Sequence, residues 1–148
     1  MKNQTYQIDI HAPASVVFHK MLDKETYKLW TSEFNPTSDY EGGWNNGDKI
    51  YFIGQNKDGK REGMVAKILE NIPNEFVSIY HYGILDGDIE ITEGPAVESW
   101  AGGTENYHFK EHNGITNVTV KVDTTEEYLS YFDETWPKAL SRLKEICE

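Results

Sequence analysis

The chain has 148 residues and carries 25 Asp and Glu against 14 Lys and Arg, a formal net charge of −11. That balance excludes phosphate-neutralising contact with nucleic acid and a polybasic grip on anionic membranes, and leaves a basic protein surface as the possible charged partner. A single cysteine excludes an internal disulfide, no signal peptide opens the chain, and no apolar run approaches the ~18 residues of a membrane span, so the expectation is one soluble, cytoplasmic domain over residues 1–148.

In chain order, Tyr6, Ile8 and Ile10 alternate with polar neighbours, the period of a half-buried strand. Pro13 suits the first turn of a helix carrying Val16, Val17, Met21 and Leu22, and a second short helix holds Tyr27 and Trp30. Residues 31–48 read as irregular. Five strand-like segments follow, at residues 49–54, 61–72, 75–82, 104–111 and 115–123. Lys57-Asp58-Gly59 and Asn113-Gly114 supply the positive φ angles of tight hairpins, and Pro73-Asn74 makes a further turn. Residues 83–103, acidic and punctuated by Gly and Pro, read as a loop at the end of the sheet. Edge strands such as Tyr6 to Ile10 can pair between copies, but nothing in the sequence fixes an oligomeric state.

The tail from Thr124 to Cys147 has apolar residues at Leu129, Phe132, Trp136, Leu140, Leu143 and Cys147, spaced as one face of an α-helix. Tyr128, Ala139 and Ile146 widen that stripe. Thr124 or Thr125 is expected to cap it, and the stripe continues through Pro137, which predicts one kinked helix rather than two. Cys147 on the stripe reads as a buried thiol. Strands followed by one segregated helix predict an α+β domain, its antiparallel sheet of about six strands curled around the last helix.

Strand alternation assigns the faces. Ile50 and Phe52, Met64 and Ala66, Val77 and Ile79, Tyr107 and Phe109 point inward, whereas Lys67, Ser78, His108 and Lys121 belong in water. Two polar residues share the inward phase: His81 follows Val77 and Ile79, and Glu105 precedes Tyr107 and Phe109. Such a pair can anchor a ligand's polar group, act as acid and base, or satisfy itself inside a wet core.

The ordered set Ala12-Pro13-Ala14, Leu29-Trp30, Gly43-Trp44, Gly63-Met64-Val65, Glu75-Phe76-Val77, Trp100-Ala101-Gly102 and Trp136-Pro137-Lys138 resembles the START-like, or SRPBCC, superfamily. Within it the chain is similar to the family named after the activator of the Hsp90 ATPase. The resemblance implies a helix-grip fold with a deep cavity between the curved sheet and the C-terminal helix. In that cavity Trp44, Phe52, Met64, Trp100, Tyr107, Phe132 and Trp136 would form apolar walls, with His81 and Glu105 as the polar contacts; ordinary core packing accounts for the same rings. The implied function is binding of a small hydrophobic, lipid-like or polycyclic molecule. A chaperone-stimulating module and a cavity enzyme of the cyclase or hydrolase type are the alternatives.

Other chemistry finds no support in the sequence. His108 and His112, four residues apart on a strand, stand ~13 Å apart at ~3.3 Å per residue, too far for one ion. The acidic run Asp86, Asp88, Glu90 and Glu93 has Ile91 where a calcium loop needs its turning Gly, and Val97 where it needs its closing Glu. No glycine-rich phosphate loop, Gly-x-Ser-x-Gly or cysteine pair occurs, so no metal and no cofactor is expected.

Overall fold

A computed structural model of the chain describes residues 1–98 and 101–148. The elements run β1 (Lys2–Ile10), α1 (Ala14–Leu22), α2 (Lys24–Trp30), a 3-10 turn (Thr31–Glu33), β2 (Asp39–Gly42), β3 (Lys49–Gln55), β4 (Arg61–Ile72) and β5 (Phe76–Asp86). There follow β6 (Ile89–Ile91), α3 (Pro95–Glu98), β7 (Gly103–His112), β8 (Ile115–Thr124), a second 3-10 turn (Glu126–Tyr128) and α4 (Leu129–Cys147). The strands form one antiparallel sheet in the order β1-β8-β7-β5-β4-β3-β2, with β6 on the free edge of the far half of β5. This is the α+β helix-grip architecture, with eight strands rather than about six.

The two extra strands come from segments read as irregular. β2 forms within residues 31–48, where Asp39 to Gly42 pair with Ile53 to Ile50 of β3. Residues 83–103 are not a single loop: β5 continues to Asp86, turns back through β6 and is followed by α3. The expected hairpin turns are present, with positive φ at Gly59, Asn74, Asn113 and Gly114.

Two irregularities bend the sheet between β4 and β5. Tyr82 is unmatched between the pairs Val65–Gly83 and Ala66–His81, and Leu69 is unmatched between Ile68–Ile79 and Glu70–Ser78. Each extra residue increases local twist and shifts the side-chain alternation by one on its far side. Ile84 therefore pairs with Met64 and shares its face, continuing the line of Ile79 and His81. Leu69 is pushed out to 50% exposure.

The core fills the concave side. Ile10, Val118, Val120, Ile79 and Ile50 of the sheet meet Val17 and Met21 of α1, Trp30 of α2, and Leu140 and Leu143 of α4. Trp30 Nε1 donates to Met21 O at 3.0 Å and the Tyr40 hydroxyl to Leu22 O at 2.7 Å, fixing both short helices to their neighbours. Ser78 is a correction: it is buried, and its hydroxyl donates to Asn106 Oδ1 at 2.6 Å, because β7 covers that point.

α4 is continuous through Pro137, whose ring lies on the exposed side. Its start differs from expectation. Neither Thr124 nor Thr125 caps it: the chain enters through the 3-10 turn, no side-chain cap is made, and Thr125 Oγ1 is buried without a partner. Tyr128 lies in that turn and is half exposed, so it does not widen the buried stripe. At the other end Cys147 is half-buried, and burial pushes its thiol up to about 11. Among the described residues no helix is long and apolar enough to cross a membrane.

Gly63 in β4 leaves no room for a side chain beside β3. A Cβ built there would fall on the carbonyl oxygen of Phe52, a backbone atom that cannot swing aside. Gly63→Ala is expected to lower unfolding stability by about 1–3 kcal/mol, read as a reduced urea midpoint at unchanged slope. An unchanged midpoint would show that the strands separate freely.

Candidate functional site

The sheet bends away from the first half of α4, and a cavity of about 290 Å³ lies between them. Tyr131, Phe132 and Trp136 of α4 form its roof, and Phe52 of β3 with Met64 of β4 its floor. Tyr27 and Trp30 of α2 and Phe34 after the first 3-10 turn close one side. The exposed Glu62 and Tyr131 mark the side open to solvent.

Ring contacts fix these walls. Phe34 meets Trp136 edge-on with centroids 5.0 Å apart, and Trp30 and Trp136 are 5.9 Å apart. The Tyr131 hydroxyl donates to Phe34 O at 2.8 Å, tying the start of α4 to the turn opposite. Offset and edge-on ring pairs of this kind hold their geometry beyond what burial alone provides.

The inner end is polar. His81 on β5 and Glu105 on β7 face each other across adjacent strands, with Nε2 and Oε1 3.2 Å apart. The Tyr107 hydroxyl donates to Glu105 Oε2, so both carboxylate oxygens are engaged. When His81 is neutral and donates from Nε2, its Nδ1 is a bare acceptor. That Nδ1 is buried and has no partner; neither does the buried indole N–H of Trp136. Phe52 stacks obliquely near the imidazole at 5.7 Å.

The predicted residues come together to different degrees. Phe52, Met64, His81, Glu105, Tyr107, Phe132 and Trp136 all line the cavity. Trp44 does not: it packs on Phe52 at 5.8 Å and on Tyr40 at 5.4 Å, outside the lining. Trp100 lies outside the described residues. Tyr27, Trp30 and Phe34 also belong to the walls; the sequence placed the first two on a short helix. Their helical spacing was visible, but which strand they would face was not.

Burial first, and then the charge of Glu105, hold the hydroxyls of Tyr27 and Tyr107 well above the usual tyrosine range. Both protons are therefore retained by the folded chain at pH values where the unfolded chain loses them. Their contribution is whole below pH ~10 and is lost as pH rises beyond it. Unfolding free energy should fall steeply above pH ~10, and less steeply in Tyr107→Phe. At neutral pH the same variant should be about 1–2 kcal/mol less stable, because a partly buried carboxylate oxygen loses its donor. Urea titrations across the pH range check both; parallel curves for the two proteins would contradict the assignment.

Comparison with known proteins agrees with this architecture. A protein from Nitrosomonas europaea superposes with a TM-score of 0.73 at 16% identity, covering 97% of this chain and 92% of its own. The Aha1 dimer from Colwellia psychrerythraea gives 0.73 at 22% identity, with 100% and 97% covered. CalU16 from Micromonospora echinospora gives 0.67 at 16% identity, with 97% and 73% covered. At these identities the likeness establishes the fold alone. No curated protein matches the chain. The family model described as activator of Hsp90 ATPase homolog 1-like protein matches residues 11–148, and the chain belongs to that family.

Proposed function

We propose that the chain reversibly binds a small, largely apolar molecule beneath the first half of α4 and orients one polar group of it against His81 and Glu105. The observation that carries this reading is the cavity itself: about 290 Å³ of space, walled largely by rings and a thioether, with His81 and Glu105 paired on its lining. Binding pockets combine these features, an apolar lining for affinity and a few convergent polar atoms for orientation.

Apolar walls contribute on the order of 25 cal/mol for each Å² removed from water. Met64 adds a polarisable, adaptable side chain to the otherwise rigid rings. The volume sits at the small end of the ~300–1,000 Å³ usual for ligand sites. A compact ring system fits this size better than a long-chain lipid does.

Titration of the chain with neutral N-phenyl-1-naphthylamine tests the reading. Probe fluorescence should rise saturably, and amide shifts should concentrate at Phe52, Met64, His81, Tyr107 and Trp136. Shifts confined to exposed positions such as Leu29 and Tyr128 would move the binding function to the outer surface, as a protein-docking module requires.

A further inference from the structure

We propose that the occupant is a cation: a compact hydrophobic amine, protonated at neutral pH, whose ammonium group lies against Glu105 among the aromatic faces. This rests on the binding reading above and names the chemical class of its ligand.

The charge of the lining is one-sided. Among the described residues around the cavity there are two carboxylates, Glu62 at the open side and Glu105 within, and no Lys or Arg. Eight aromatic rings surround the same space. The face of a ring is electronegative and attracts ammonium groups, most strongly when water is excluded. Burial and the field of Glu105 reach both Tyr27 and Tyr107, raising both hydroxyls well above the ordinary range.

Hydrogen-bond supply points the same way. His81 is more than nine-tenths buried, and its Nδ1 has no partner. When Nε2–H is committed to Glu105, that nitrogen needs a donor, and an ammonium group brings three donors and no acceptor. A carboxylate ligand brings none. It would also place a second negative charge near Glu105 with no Lys or Arg among the described lining residues to offset it. The indole N–H of Trp136 is a single neutral donor, which does not compensate for an enclosed anion. A neutral alcohol can donate to Nδ1 but gains nothing from the carboxylate or the ring faces. An ammonium ion taken from water needs an enclosed counter-charge to offset its desolvation, and Glu105 supplies it.

One skeleton with three head groups separates these cases. 1-Adamantylamine, 1-adamantanol and 1-adamantanecarboxylate are to be competed at pH 7 against N-phenyl-1-naphthylamine bound to the full chain. The amine should bind at least about tenfold more tightly than the alcohol, and the carboxylate most weakly. Glu105→Gln should cost the amine at least about tenfold relative to the alcohol measured on the same variant. Circular dichroism melts establish that the variant is folded, and the wild-type series stands without it. Alcohol or carboxylate binding as tight as that of the amine overturns the proposal and leaves cavity binding intact. Failure of all three, and of the probe itself, removes the binding reading as well.

Discussion

A helix laid on a bent sheet can touch it closely along only part of its length. Here the close contact is at the C-terminal half of α4, where Ala139, Leu140 and Leu143 are fully buried against the sheet and α1. Toward its start the same helix lifts off: Phe132 is half-buried, and Tyr131 is exposed. The bend is written into β4 and β5 by the unmatched Leu69 and Tyr82. The cavity is the geometric remainder of this mismatch. The rings of α2 and the first 3-10 turn narrow it without filling it.

The polar groups of this space are positioned by the strands that carry them. Glu105 lies in β7 between Ile79 of β5 and Val122 of β8, so its backbone is fixed on both edges. Its side chain takes donors from the neighbouring strand, through His81, and from its own strand two residues on, through Tyr107. A carboxylate held in this way keeps its direction, which is what orientation of a guest requires. The acidity of the whole chain is a separate matter, carried mostly by exposed side chains and by surface pairs such as Lys60–Asp86, where the contribution of each pair is small.

Much of this was legible in the chain. Period-two alternation placed His81 and Glu105 on the inward face, and Asn113-Gly114 and Asp58-Gly59 located their hairpins, because these signals are local. β6 was hidden because three residues, Ile89 to Ile91, are too few to establish a period, and their pairing is set by β5 across a turn. Ser78 reads as a surface residue in isolation, yet its hydroxyl donates a hydrogen bond to Asn106 Oδ1 on β7. Thr125 has the chemistry of a cap, but the 3-10 turn carries the helix start past it. The contributions of Tyr27, Trp30 and Phe34 to the cavity depend on how α2 docks, and that is a property of tertiary packing.

The same fold is shared by proteins with little sequence in common, and a fold does not specify an activity. What distinguishes this chain is the content of its cavity: rings, one thioether, and a carboxylate paired with a histidine, with no Lys or Arg among the described lining residues. The claim beneath everything else is that this space accepts a guest. Its methionines give a built-in comparison, since Met64 lines the cavity, Met21 is sealed in the packed core, and Met1 is exposed. With the three ε-methyls labelled with carbon-13, xenon pressure should shift the Met64 resonance saturably and leave Met21 and Met1 in place, because xenon partitions into dry apolar voids. A motionless Met64 resonance, or one that moves no more than Met21, would contradict the account.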